Sequence, residues 1–307
     1  MLLLKQFGYF ATKNGKAGIG HMIENLNGIH ETVNYKENTN IRLYNNTDNE
    51  EYPAHWHTPI EIVMPVENHY PVECNELKMD LREGDILLIC PGALHTFRAI
   101  KGRRIIFQAE ISSVFRLKEL ESILSIISPV LLITPENYPL IYDRMHALMV
   151  EITDEYFRDA PLTETSIYSK LIEMLVSVGR NHTESVERFD VGHVKQKEYI
   201  EKFMTICSYI SEHCTEDLSL DMMADMAGFS KFHFTRLFKQ FTNSSFYKYL
   251  NQKRIATAEQ LLINPQMSVT DVALHSGFSS LSAFIRMFKI IKGCTPSEFR
   301  AMYTSSN

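Results

Sequence analysis

Tryptophan occurs once in this 307-residue chain, at Trp56, and cysteine only five times. Those cysteines (Cys74, Cys90, Cys207, Cys214 and Cys294) are odd in number and form no CxxC pair. A disulfide framework is therefore disfavoured, and reduced, buried thiols in a cytoplasmic protein are expected. No apolar stretch reaches the roughly 18 residues that a membrane span needs, so no membrane partner is expected. The opening Met1 to Gly8 is apolar too briefly for a signal peptide. Low-complexity tracts are missing too. What remains is ordinary globular material, 45% hydrophobic and 22% charged, and long enough for two domains with real cores.

An excess of positive charge is also lacking: the chain carries a net −6. Its distribution is uneven, however. Residues 197–307 hold 12 Lys and Arg against 10 Asp and Glu, a net +2, which leaves −8 for the rest. Any attraction to phosphate must come from placed cations rather than bulk charge, and binding should be sensitive to salt.

Residues 40 to 110 contain short apolar runs, among them 61–66, 85–90 and 104–108, separated by Pro, Gly, Asn and Asp. That density of short strands predicts a sandwich or small barrel. From about Ser112 the period lengthens to helical, with apolar spacing of three and four over 138–157 and 162–178. The polar stretch 181–194 reads as a linker. Everything after Lys197 is helical in pattern.

Within that last third one pattern is written twice. Leu218 to Ser230 runs into Phe234-Thr235-Arg236-Leu237-Phe238-Lys239, and Ser268 to Ser279 runs into Phe284-Ile285-Arg286-Met287-Phe288-Lys289. Ser219 in one copy, and Ser268 with Asp271 in the other, can cap a short first helix. Ala224 and Ala273 permit a close helix crossing, and Gly228 and Gly277 can take the left-handed turn. Ser230 and Ser279 can cap the helix that follows. In it, Phe234, Leu237, Phe238 and Phe241 share an inward face, matched by Phe284, Met287, Phe288 and Ile291. The outward face of the first copy carries Lys231, Phe232, Thr235, Arg236, Lys239 and Gln240, a stripe suited to reading base edges in the major groove. The second outward face is poorer: Leu281, Ser282, Ile285, Arg286, Lys289 and Ile290. Apolar groups touch thymine methyls but cannot read guanine. Unequal modules are expected, the first discriminating bases and the second leaning on phosphates and shape.

At these residues the chain resembles the AraC/XylS family of bacterial transcription regulators. Tyr249-Leu250, Arg254, Ala258 and Leu261-Leu262 look like its connecting helix, and Lys292-Gly293-Cys294-Thr295-Pro296 to Phe299-Arg300 like its closing signature. The match spans roughly Tyr199 to Arg300. It implies two helix-turn-helix units on one long helix, entering successive major grooves. Base contacts are implied at Phe232, Thr235 and Arg236, and at Leu281, Ser282 and Arg286. The apolar residues at 281 and 285 depart from the commoner polar choices.

Two further fragments carry chemistry: His55-Trp56-His57-x3-Glu61, and Gly84-Asp85 followed by Pro91-Gly92-x2-His95. Residues 55 and 57 would face one side of a strand, Glu61 shares their parity, and Pro59 stands between them. With His95 they form a plausible divalent-metal site, although a metal is not fixed by the sequence. The pattern resembles the two cupin motifs, and AraC-type regulators commonly carry such a cupin-like sensor. His55, Trp56, His57, Glu61 and His95 are thus the effector-binding candidates, with Trp56 able to stack on a sugar face or to serve as core.

The expected architecture is α+β in two domains. Residues 1–180 would form a cupin-like β-barrel or sandwich with helices, 181–196 a linker, and 197–307 an all-α tandem helix-turn-helix with units at about 218–242 and 268–292. The expected function is a cytoplasmic, homodimeric, sequence-specific DNA-binding regulator, an activator in contact with RNA polymerase. The resemblance suggests a sugar or related metabolite as effector, no catalysis and no cofactor. The rivals are a metal-dependent cupin enzyme with a regulatory tail and a ligand-independent dimeric regulator. A repair protein is disfavoured because no Pro-Cys-His-Arg-type nucleophile occurs.

Overall fold

The computed structural model describes residues 26–47, 49–74, 77–111, 120, 123–124, 127–158, 160–184, 193–242 and 244–304. Two antiparallel sheets, facing each other across a shared core as an open barrel, begin the fold. One has β11 (Val130–Ile133), β8 (Ile86–Ile89), β5 (Ile60–Pro65), β10 (Arg104–Ala109) and β3 (Ile41–Asn46), in that order. The other has β4 (Tyr52–His55), β9 (His95–Phe97), β6 (Tyr70–Cys74) and β7 (Leu77–Leu81). A two-residue pair, β1 (Leu26–Asn27) and β2 (His30–Glu31), precedes them.

The apolar runs are continuous because the five-stranded sheet is covered on both faces. Alternation along its strands sorts the side chains. Ile60, Ile62, Met64, Ile86, Leu88, Ile105 and Phe107 pack against α1 (Tyr142–Arg158) and α2 (Thr163–Glu184), through Leu148, Met149, Ile152, Leu171 and Leu175. Val63, Leu87, Ile89 and Ile106 turn the other way, onto Tyr70, Val72 and Phe97 of the second sheet. The same alternation carries Glu61 and Gln108 to the inner side, where their Cα atoms are partners in the β5–β10 register.

Two expectations need correction. Strand β11 lies where the sequence pattern had already turned helical, because Val130 to Ile133 pair with Ile89 to Ile86 at a sheet edge. The stretch read as a linker is helical at both ends, since α2 continues to Glu184 and α3 (His193–His213) begins inside it. Residues 185–192 lie outside the described residues.

The helical domain has two cores that share one helix. The first gathers α3, α4 (Leu220–Ala227), α5 (Lys231–Thr242) and the start of α6 (Phe246–Leu262). The second gathers the end of α6 with α7 (Val269–His275), α8 (Leu281–Lys292) and α9 (Pro296–Thr304). Tyr249 and Leu250 of α6 are buried in one, Ile255, Ala258 and Leu262 in the other. Arg254, midway, donates to the carbonyls of Cys214 (2.7 Å) and Glu216 (2.8 Å) and lies over the Phe278 ring.

The caps follow the sequence closely. The Ser219 hydroxyl accepts from the Met222 amide, and Ser268 and Asp271 form a reciprocal capping box. Ser230 accepts from the His233 amide at the start of α5. The second unit has one extra residue between its turn glycine and its first inward phenylalanine (Gly277 to Phe284, against Gly228 to Phe234), and there Ser280 rather than Ser279 caps α8. The two turn glycines are not equivalent. Gly228 (φ 73°) has open space around a would-be Cβ, whereas at Gly277 (φ 86°) that atom would lie 2.8 Å from the Thr215 Cα. Gly228→Ala should therefore cost about 1 kcal/mol, the conformational penalty alone. Gly277→Ala should cost roughly twice that, because backbone must also move. Chemical denaturation of both variants checks the order.

Candidate functional site

The outward stripes of α5 and α8 are solvent-facing over their whole length, while the opposite faces are closed. Lys231, Phe232, Thr235, Arg236, Lys239 and Gln240 are exposed, and Phe234, Leu237, Phe238 and Phe241 are buried. Phe232 is 83% exposed, an unusual position for a large apolar ring. Lys231 reaches back to Asp221 of α4 (2.9 Å), and Arg236 lies within 3.5 Å of the His233 ring. On α8, Leu281, Ser282, Ile285, Arg286, Lys289 and Ile290 are exposed above buried Phe284 and Phe288. The second reader thus presents three aliphatic side chains where the first presents hydrogen-bonding groups. It can fit a methyl-rich groove wall and reach phosphates, but it has fewer ways to score a base edge.

The other candidates converge inside the barrel. His55 ends β4, His95 starts β9 directly opposite it, and His57 lies in the short connection before β5. Pro59 does interrupt the strand, so Glu61 arrives from the facing sheet. One nitrogen from each of the three imidazoles lies within 4.8 Å of the others, and all three residues are 1% exposed. Hydrogen bonds assign their protonation. His55 Nδ1 and His95 Nδ1 donate to the carbonyls of Pro53 and Ala93, both at 2.8 Å, which leaves each Nε2 a lone pair. His57 instead faces an acceptor at each nitrogen, Pro59 O at 3.1 Å and Glu61 Oε2 at 2.8 Å, and so carries both protons. Burial opposes that charge, but the Glu61 carboxylate overrides it and raises the His57 pKa. Burial likewise opposes ionisation of Glu61, and His57 with its neighbours brings the carboxyl down to about 2. His55, by burial and then by the His57 charge, falls to about 4. Burial, and then the neighbouring His55 imidazole, take His95 well below its usual value.

Two members of this cluster carried no motif. Glu31 of β2, 3% exposed, brings Oε2 to 3.8 Å from His55 and 3.9 Å from His57. Gln108 donates to Glu61 Oε2 at 2.8 Å. A glutamine after the apolar run Ile105 to Phe107 was a usable signal for the second; nothing local marks the first. Trp56, grouped with the cluster on sequence, is not brought into it. It is buried in the core of the second helical unit, stacked on Phe299 with the rings 4° from parallel and 4.9 Å apart.

Comparison with known proteins agrees with the helical half. Residues 223–302 match the family described as a helix-turn-helix domain. The probable transcription factor PqrA of Proteus vulgaris is 38% identical over 85 residues, which cover 28% of this chain and 70% of that protein. The chain belongs to the AraC-type helix-turn-helix transcription regulators. An uncharacterised HTH-type transcriptional regulator of Staphylococcus aureus strain COL is 36% identical over 100 residues, 33% of this chain and 13% of that protein. The chain thus spans about an eighth of that relative's length. Among solved structures, the DNA-binding domain of AdpA in complex with a target DNA matches with a TM-score of 0.33 and 28% identity. It covers 34% of this chain and 96% of that one. ToxT from Vibrio cholerae matches with a TM-score of 0.47 and 14% identity over 85% and 97% of the two chains.

In this AraC-type regulator the barrel cluster has the donor set of a divalent transition-metal site. His95 Nε2 and Glu61 Oε1 are buried, lack any hydrogen-bond partner, and lie 4.0 Å apart. Nitrogens sharing a tetrahedral metal sit roughly 3.3 Å apart, so a modest contraction would bring the three imidazoles into range. Backbone carbonyls already fix the tautomer of His55 and His95 that offers Nε2. His55, His57, His95 and Glu61 would hold the ion, with His57 giving up its shared proton.

The metal-free protein should lose stability in acid. His30 and His55 have folded pKa values of about 4, lowered first by burial, and His95 is lowered as well. The unfolded chain protonates these rings near 6.5 and the folded chain does not until near 4. Stability is therefore lost as pH falls through that interval. His57 has the opposite sign: its contribution is complete below 6.5 and fades only as pH rises through its raised pKa. Melting temperatures between pH 7 and 4.5 should fall steadily; a flat profile would mean that these rings are protonated in the fold.

No helix among the described residues is long and apolar enough to cross a membrane.

Proposed function

We propose that this DNA-binding regulator reads duplex promoter DNA with α5 and α8 in successive major grooves, under the control of an effector held in the barrel. The observation that carries the reading is the paired stripe: matched positions on two helices are exposed, with Arg236 and Lys239 repeated by Arg286 and Lys289, while their inner faces are buried. Phe232, Thr235, Arg236 and Gln240 are assigned to bases, and Lys231 and Lys239 to phosphates. Leu281, Ser282 and Arg286 contact the second groove chiefly through methyls and backbone, aided by Lys289.

The effector site is assigned to His55, His57, His95, Glu61 and Glu31. Its buried, inward-facing donors favour a divalent transition metal over a sugar, and the stacking of Trp56 on Phe299 takes that ring away from any sugar face. On the family resemblance, the reading includes a homodimer, contact with RNA polymerase and activation of transcription in the cytoplasm. A catalytic role is not needed to explain any of these groups.

Selection of duplexes from a random pool by the full chain, followed by footprinting, tests the DNA half. Two protected grooves about one helical turn apart are expected, with the more selective base preference under one of them. A single protected groove would refute it. For the barrel, calorimetry with Ni²⁺ should show one site per chain, lost in His95→Ala.

A further inference from the structure

The barrel cluster and the second helix-turn-helix unit share their supporting backbone. Each cluster segment at the barrel mouth carries, beside its buried donor, a side chain packed into the core of the second unit. Trp56 stands between His55 and His57 and stacks on Phe299 of α9. Leu94 precedes His95 and packs against the same core, as does Ile29, two residues before Glu31. Backbone bonds tie the segments together: the Trp56 amide donates to Ile29 O (2.9 Å) and the Glu31 amide to Trp56 O (3.0 Å).

A polar contact runs along the same border. Lys292, the last residue of α8 and only 5% exposed, pairs with Glu259 of α6. It also donates to Gly92 O at 3.4 Å and lies over the Trp56 ring at 5.0 Å. The Gly92 amide in turn donates to His57 O at 2.8 Å. Asn27 Nδ2 donates to Met302 O of α9 at 2.7 Å. None of these contacts covers the outward stripe of α8, so they set where that helix points rather than whether it is accessible.

We propose that the state of the imidazole–carboxylate cluster is transmitted to the second reading helix through this Trp56–Leu94–Ile29 platform and its Phe299 and Lys292 contacts. Drawing residues 55, 57 and 95 together moves the backbone that carries Trp56 and Leu94. Close packing transmits that shift instead of absorbing it. The second unit then moves as a body relative to the cluster, and the fit of α8 to its groove changes. The inference rests on the cluster being the effector site, and names how occupancy there reaches DNA.

A double-mutant cycle on the full chain tests it without knowledge of the natural effector. Glu61→Gln changes the cluster with little change of shape, and Phe299→Leu loosens the platform. Affinity is measured for a duplex selected by the unaltered chain. Glu61→Gln alone should change affinity at least about 5-fold. In the Phe299→Leu background the same change should shrink to less than about 2-fold, because coupled positions are non-additive. Equal effects in both backgrounds, or no effect of Glu61→Gln at all, overturn the coupling. If Phe299→Leu fails to fold, Lys292→Met takes its place in the cycle. Calorimetry with Ni²⁺ scores the cluster separately: absence of binding overturns the metal reading. Binding that leaves both the emission of the sole tryptophan and the duplex affinity unchanged overturns the coupling.

Discussion

Glu61→Leu is expected to destabilise the barrel by about 3–5 kcal/mol, the usual cost of removing one partner from a buried ion pair. The carboxylate and the His57 imidazolium are both 1% exposed and 2.8 Å apart, with Gln108 donating to the same oxygen. Without Glu61, His57 must either keep its proton with no close partner except Glu31 at 3.9 Å, or lose it inside the protein. A fall in melting temperature of roughly 10 °C should follow. Pairing Glu61→Leu with His57→Leu should recover part of the loss, since removing both charges leaves no cation behind. If the double variant is as unstable as the two single losses added together, the two residues do not act as an ion pair.

Arg236→Ala is expected to weaken binding to a selected duplex by about 1–3 kcal/mol, or roughly 5- to 150-fold, and to relax preference at one or two base pairs. Arg286→Ala should weaken binding more evenly across sequences. The difference follows from the surroundings of the two guanidinium groups. Arg236 is flanked by exposed Phe232, Thr235 and Gln240, whereas Arg286 sits among Leu281, Ile285 and Ile290. Parallel selection of sites by the two variants decides the matter. If both lose preference equally, the readers are equivalent.

The helical half was legible because its chemistry is local. A capping serine, a small crossing residue, a turn glycine and an inward phenylalanine row each act within one or two helical turns, so spacing alone exposes them. Where the extra residue shifts the cap from Ser279 to Ser280, the ambiguity was between neighbouring hydroxyls, and only the helix start resolves it. In the barrel, His55, His57, Glu61 and His95 could be grouped because shared parity and two motifs point to one interior, although Glu61 reaches it from the facing sheet. Glu31 could not, since it reaches the cluster only through the bond of its backbone to Trp56, 25 positions along the chain. Trp56 was ambiguous for a similar reason. Its neighbours face the cavity, but its own surroundings are supplied by α9, more than 240 residues away. Strand β11 was hidden because four aliphatic residues fit a helix pattern as well as a sheet edge, and pairing with β8 decides.

Helix α6 gives the two readers a common wall, with its first half buried in one core and its second half in the other. An arm that could slide would tolerate targets of varied length. On the proposed two-groove reading, this one would act as a fixed gauge. Adding one base pair between its half-targets would turn the far half by roughly 35° about the duplex axis. The protein cannot follow by stretching, so the nucleic acid would have to twist or bend instead, at an energetic cost set by its own sequence. Stiffness of bases that the protein never touches would therefore become part of what it selects.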